Sequence, residues 1–157
     1  MRMNVIFLDF DGVLDTACYD FFLTKNGQPS CDINGRPIFD PRCIRNLKKI
    51  LDVTFAKIVV TSSWRQFDTL PELRDMWQKR EMPGEILDVT PIISDNRGEE
   101  IDQWLSGRAE GSINYIIIDD LPPECFNSHQ ISRLIQINPL NGITTADVMK
   151  AINVLNF

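Results

Sequence analysis

Apolar residues along this chain fall into two kinds of pattern. Val5-Ile6-Phe7-Leu8 is a short continuous apolar run that breaks off into charge, as in a parallel strand buried on both faces. Ile58-Val59-Val60 and Tyr115-Ile116-Ile117-Ile118 repeat it, Leu134-Ile135-Gln136-Ile137 supplies a fourth candidate strand, and Ile92-Ile93 a fifth. Between these runs the apolar positions are spaced to line one side of a helix. Asp40-Pro41 sets a capping carboxylate before a proline at the first helical position, and Ile44, Leu47, Ile50 and Leu51 then recur on one face. Pro71 opens a second helix with Leu73, Met76 and Trp77 on its apolar side and Pro83-Gly84 beyond its end. Asn96 with Glu99 three residues later has the form of a capping box, after which Ile101, Trp104 and Leu105 face inward and Gly107 ends the turn. A last helix is expected from about Thr144 to Leu155, with Val148, Ile152 and Leu155 buried.

Strands alternating with helices predict an α/β domain, a three-layer Rossmann-like arrangement around a mostly parallel central sheet. At 157 residues the chain has the length of one such domain, and a single unit over 1–157 is expected. The one long stretch without periodicity runs from Asp15 to Phe39, where Asn26-Gly27, Asn34-Gly35 and Pro29 mark turns. In so compact a chain it reads as a flap, at about 15–39, over a site.

Composition narrows the functional classes. No run approaches the eighteen or so apolar residues of a membrane helix, and Asp9 and Asp11 interrupt the first apolar run too early for a secretory leader. A soluble, cytoplasmic protein with no membrane partner is expected. Cys18, Cys31, Cys43 and Cys125 form no Cys-x-x-Cys pair, so reduced thiols are expected rather than a zinc ribbon or redox motif. A net charge of -6 argues against a broadly basic nucleic-acid-binding face.

Ligands of open parallel sheets gather at the C-terminal ends of the strands. There the first strand delivers Asp9-Phe10-Asp11-Gly12-Val13-Leu14, the second Thr61-Ser62-Ser63-Trp64-Arg65, and the third Asp119-Asp120. Four carboxylates brought together would oppose one another's ionisation, and a hard cation relieves that conflict. A ligand set of oxygens alone suits magnesium.

These residues resemble the motifs of the haloacid dehalogenase superfamily of phosphohydrolases. Asp9-Phe10-Asp11-Gly12-Val13-Leu14 is similar to its first motif, Thr61 to its second and Asp119-Asp120 to its fourth, while Arg97 stands where the family places a basic third motif. Thr61-Ser62-Ser63-Trp64-Arg65, Arg97-Gly98-Glu99-Glu100-Ile101 and Gly142-Ile143-Thr144 further resemble the branch associated with RNA repair proteins. The resemblance implies Asp9 as the nucleophile that forms an aspartyl-phosphate and Asp11 as acid and base. It implies a Mg2+ held by Asp9, the backbone carbonyl of Asp11 and Asp120, with Asp119 as a further ligand or a partner behind the ligands. Thr61 and the amides that follow it, including that of Ser62, would bind phosphate oxygens, and Arg97 would offset phosphoryl charge.

Too little chain separates the motifs for a large cap domain, so the site should be open. The expected partner is a phosphorylated substrate, and the branch resemblance implies a terminal phosphate of a nucleic acid. A small metabolite or nucleotide is the alternative of the same chemistry, and a catalytically silent binding or regulatory domain the alternative of another class. Thr61, Ser62 or Ser63 could equally cap the next helix, Arg97 could pair with Glu99 or Glu100, and Arg65 could contact substrate or equally serve packing and capping. His129, in a polar loop, reads as a surface residue.

Overall fold

A computed structural model describes residues 2–156. Five strands form one all-parallel sheet: β1 (Met3–Leu8), β2 (Lys57–Val60), β3 (Ile86–Val89), β4 (Ile113–Asp119) and β5 (Leu134–Gln136), in the order β3-β2-β1-β4-β5. The helices are α1 (Ala17–Lys25), α2 (Pro41–Thr54), α3 (Leu70–Lys79), α4 (Arg97–Ser106) and α5 (Thr145–Asn156). None of the described helices is long and apolar enough to cross a membrane.

The continuous apolar runs are explained by burial on both sides of the sheet. In β1, Ile6 and Leu8 join one core with Leu47 and Ile50 of α2, Leu73 of α3 and Val148 of α5, while Val5 and Phe7 join a second core with Ile101 and Trp104 of α4. A strand that alternates its side chains between two apolar layers has no polar face to show. Each fully buried leucine, isoleucine or phenylalanine contributes about 1.5–3 kcal/mol, so β1, with Val5 to Leu8 wholly enclosed, anchors both layers.

The helix starts follow their capping chemistry. Asp40 accepts from the Arg42 amide at 2.9 Å with Pro41 at the first turn, Thr69 accepts from Glu72 at 3.4 Å, and Asn96 accepts from Glu99 at 3.0 Å.

Two expectations need correction. The fifth strand is Ile86–Val89, not Ile92-Ile93: Ile92 and Ile93 are exposed, and Pro91 before them has no N–H to give a ladder. Strand β3 escapes a search for apolar runs because it is an edge strand, half-buried, with Asp88 turned to the Trp104 indole at 2.8 Å. The Asp15–Phe39 flap is not wholly irregular either. Thr16 caps α1 by accepting from the Tyr19 amide at 3.0 Å, but the helix buries only Leu23 and leaves Phe21 and Phe22 exposed, so its sequence carries no one-sided pattern. The turns at Gly27 and Gly35 are present, both in the left-handed region.

Candidate active site

Register places the site before any side chain does. Leu8 pairs with Val60 of β2 and with Ile118 of β4, so the next residue of each strand, Thr61, Asp9 and Asp119, falls in one row across the end of the sheet. The row is closed by backbone bonds: the Asp9 amide donates to Ile118 O at 3.1 Å and the Thr61 amide to Leu8 O at 3.0 Å. This is where the chain order reverses direction across the sheet, with β2 on one side of β1 and β4 on the other, the position at which α/β sheets open a crevice.

Asp9, Asp119 and Asp120 bring one carboxylate oxygen each to within 4.8 Å of one another. Asp9 and Asp119 are buried, and among the described residues one cation pairs with them: Arg97 Nη1 lies 2.7 Å from Asp119 Oδ2 and 3.3 Å from Asp9 Oδ2. Three carboxylates against one guanidinium leave a formal deficit of two positive charges. Burial first, and then the charge of Asp119, push the Asp9 carboxyl well above the usual carboxylate range, and the same two causes raise Asp120. For Arg97, burial works against the charge, but Asp119 and Asp9 outweigh it and raise the guanidinium above its ordinary value. An all-oxygen donor set lacking two positive charges fits a divalent magnesium ion. Gly12 is required beside it: with φ at 78° it takes the left-handed turn, and any Cβ there would collide with Asp120 Oδ2.

Asp11 stands apart from the three grouped carboxylates. Its Oδ1 accepts from the Trp64 indole Nε1 at 3.0 Å. On its other side is Asp15, whose Oδ1 accepts from the Gly12 amide at 3.3 Å and whose Oδ2 is buried without a donor. Protonation of Asp15 resolves that deficiency. Burial, followed by the hydrogen bond to Asp11, pushes its carboxyl up to about 8. The Thr61 hydroxyl is likewise fully buried with no protein partner, whereas Ser62 uses its hydroxyl to cap the short 3-10 turn Ser63–Gln66, accepting from the Trp64 amide at 3.2 Å. A buried hydroxyl without a partner, in the same row as Asp9, has room in its bonding for a ligand.

A family model described as the HAD domain in Swiss Army Knife RNA repair proteins matches residues 5–148. The chain belongs to this HAD family. Neither a curated protein nor a solved structure matches it.

The basic residues around this HAD domain's site all have carboxylate partners. Arg36 pairs with Asp68 at 2.8 Å, Arg42 with Asp40 at 2.9 Å, Arg65 with Glu100 at 3.2 Å, and Arg97 with Asp119 rather than with Glu99 or Glu100. The flap is a wall bound in place by arginines. Arg80 of the α3 C-terminus donates to Pro37 O at 2.8 Å, pairs with Asp32 at 2.7 Å and stacks on Phe39, and Arg36 stacks on Trp64. Asp32, Arg36, Trp64, Asp68, Met76 and Arg80 line an open cleft of about 810 Å³ that neighbours Asp11 through the Trp64 indole, and none of the three carboxylates lines it. His129 is an exposed residue whose Nε2 faces Asp102 at 3.0 Å, away from these groups. Sequence reading missed Trp64 and Asp15 as neighbours of Asp11. Only the spacing Asp11-x-x-x-Asp15 around Gly12 pointed to the second, and nothing pointed to the first.

Proposed function

We propose that the domain is a magnesium-dependent phosphohydrolase that cleaves phosphate monoesters through an aspartyl-phosphate on Asp9, with nucleic-acid ends as its substrates. The observation that carries this reading is the row formed by Asp9, Asp119 and Thr61, in which the Thr61 hydroxyl has no protein partner and the carboxylates lack two positive charges.

Asp9, Asp119, Asp120 and the Asp11 carbonyl would hold the magnesium ion, which when bound stabilises negative charge on the phosphoryl oxygens. Arg97 favours the ionised form of Asp9 and offsets part of the rise that burial and Asp119 cause. An Asp9 oxygen forms a bond to phosphorus as the ester P–O bond breaks, and Asp11 gives its proton to the departing oxygen. Asp11 then takes a proton from water, whose oxygen displaces Asp9 and releases phosphate. Thr61 and Arg97 supply donors to the phosphoryl oxygens during both steps.

For the substrate, the support is the family description, which refers to RNA repair, and the lack of a large cap among the described residues, which leaves room for a large molecule to cover the site. Because Arg36, Arg42, Arg65 and Arg97 are already paired, few phosphates beyond the terminal one can be bound by charge. Expected, therefore, is a kcat/KM on 3′- or 5′-phosphorylated oligonucleotides that exceeds that on mononucleotides and sugar phosphates and falls only gently with salt. A small phosphate ester processed far better than any oligonucleotide end would overturn the substrate assignment.

Metal dependence is tested separately with an aryl phosphate. Magnesium should support turnover and exhaustive chelation should remove it, while calcium, with its looser geometry and higher ligand number, should bind and inhibit. Full activity after chelation would end the metal-dependent mechanism.

A further inference from the structure

The Arg65 side chain is buried, and its guanidinium joins three separate segments. Nε donates to Ser62 O at 2.8 Å; Nη1 donates to Thr90 O at 2.8 Å, Thr90 Oγ1 at 2.6 Å and Pro91 O at 3.2 Å; Nη2 meets Glu100 Oε1 at 3.2 Å. Glu100 uses its other oxygen to accept from the Ile93 amide at 3.1 Å. The side chains of the pair are only 4% and 5% exposed. The loop after β2 that carries Thr61 and Ser62, the loop after β3, and the first turn of α4 are thereby held on one fork.

Glu100 lies three residues after Arg97, one turn along α4. That turn is gripped from the other side as well, where Gln130 Nε2 donates to Gly98 O at 2.9 Å and to Asp102 at 2.8 Å. Gly98 is packed tightly enough that a Cβ would lie 2.9 Å from the Asn127 amide.

A buried ion pair is poor evidence of a stabilising role, because apolar replacement of both members is often neutral or favourable. What apolar side chains cannot reproduce is a planar fork that bonds carbonyls and a carboxylate from different segments at once. We infer that Arg65 is a positioning residue: with Glu100 it fixes the spacing between the Thr61–Ser62 loop and Arg97, so that the donors from β2 and from α4 meet the same phosphoryl group. This inference rests on the phosphohydrolase reading for what the donors bind, and on the geometry alone for the clamp.

The test compares the parent with Arg65→Lys and with the double variant Arg65→Met/Glu100→Leu. Arg74→Met serves as a control, since Arg74 bonds Ile86 O and Leu87 O on the edge strand, away from the site. Melting temperature, kcat and KM on an aryl phosphate, and amide hydrogen exchange over residues 61–63 and 97–100 are measured for each. Misplacement of reacting groups by about 1 Å costs on the order of 10²-fold in rate. The double variant is expected to melt below the parent, because Ser62 O, Thr90 O, Pro91 O and the Ile93 amide lose these partners, and to lose about that factor in kcat, with KM moved less and with faster exchange in both segments. Arg65→Lys, which retains the charge but not the fork, should share the kcat loss, and Arg74→Met should not. Parental kcat and exchange in the double variant, or kcat losses that follow melting temperature through all variants including Arg74→Met, would overturn the clamp. A parent that turns over no phosphate ester with magnesium counts against the phosphohydrolase reading instead, and the exchange measurement then decides the clamp without it.

Discussion

Asp9→Asn is expected to abolish turnover while leaving the fold and its melting temperature close to the parent's. The amide keeps the side chain's shape, and its Oδ1 can still accept from the Phe10 amide, a bond of 2.9 Å in the parent. The structural cost is small for a second reason. An ionised Asp9 is disfavoured in its buried position next to Asp119, where burial and repulsion are offset only in part by Arg97. Removing one charge relieves that conflict, so metal-free Asp9→Asn should be at least as stable as the metal-free parent. The chemical cost is complete, because a carboxamide oxygen is too poor a nucleophile to displace an ester oxygen from phosphorus. Single-turnover kinetics with magnesium and an aryl phosphate, alongside thermal melts in chelator, make the comparison. Turnover within a few-fold of the parent would mean that Asp9 is not the attacking group.

What could be read from the sequence was what repeats locally. Val5 to Leu8 and Tyr115 to Ile118 announce strands because burial on both faces leaves no choice of residue type, and the carboxylates that follow mark where those strands leave the core. Once β1 and β4 are recognised as parallel neighbours, Asp9 and Asp119 must share an end of the sheet. Helix α1 was illegible because its helical conformation rests on the Thr16 cap and one buried residue, Leu23, with phenylalanines left in solvent. Strand β3 was illegible because an edge strand satisfies half its surface with water and with Trp104 and Arg108 on Asp88.

Side-chain assignments failed where partners are remote in sequence. Arg65 meets Thr90 and Glu100, 25 and 35 residues away, and Trp64 meets Asp11 across 53 residues. A tryptophan before an arginine is compatible with ordinary packing, and only the approach of the two chain segments makes its indole a hydrogen-bond donor to the proposed acid. The pairing of Arg97 shows the same effect. Glu99 and Glu100 were available on its own helix, but the grouped charge of Asp119 and Asp9 at the end of the sheet is the stronger field.

Asp11→Asn should fail differently from Asp9→Asn, and the difference separates the two steps of the reaction. Asparagine can still accept from the Trp64 indole through its oxygen, so the side chain should stay where the parent's is. It can neither give up a proton nor take one, so a rate loss of about 10²–10⁴-fold is expected, the range for a general acid–base group. Asp15 is not expected to take over the role, because its Oδ1 is engaged by the Gly12 amide and its Oδ2 is buried with no hydrogen-bond partner. With an aryl phosphate whose leaving group needs little protonation, attack by Asp9 should proceed while release by water is slowed. The Asp11→Asn protein should therefore show a burst of one equivalent of phenol per site and retain phosphate on Asp9, seen as added mass after acid quench. The same quench applied to Asp9→Asn should trap nothing. A slow Asp11→Asn protein with neither burst nor trapped phosphate on a good leaving group would show that Asp11 acts before the aspartyl-phosphate forms, and that another group activates the water.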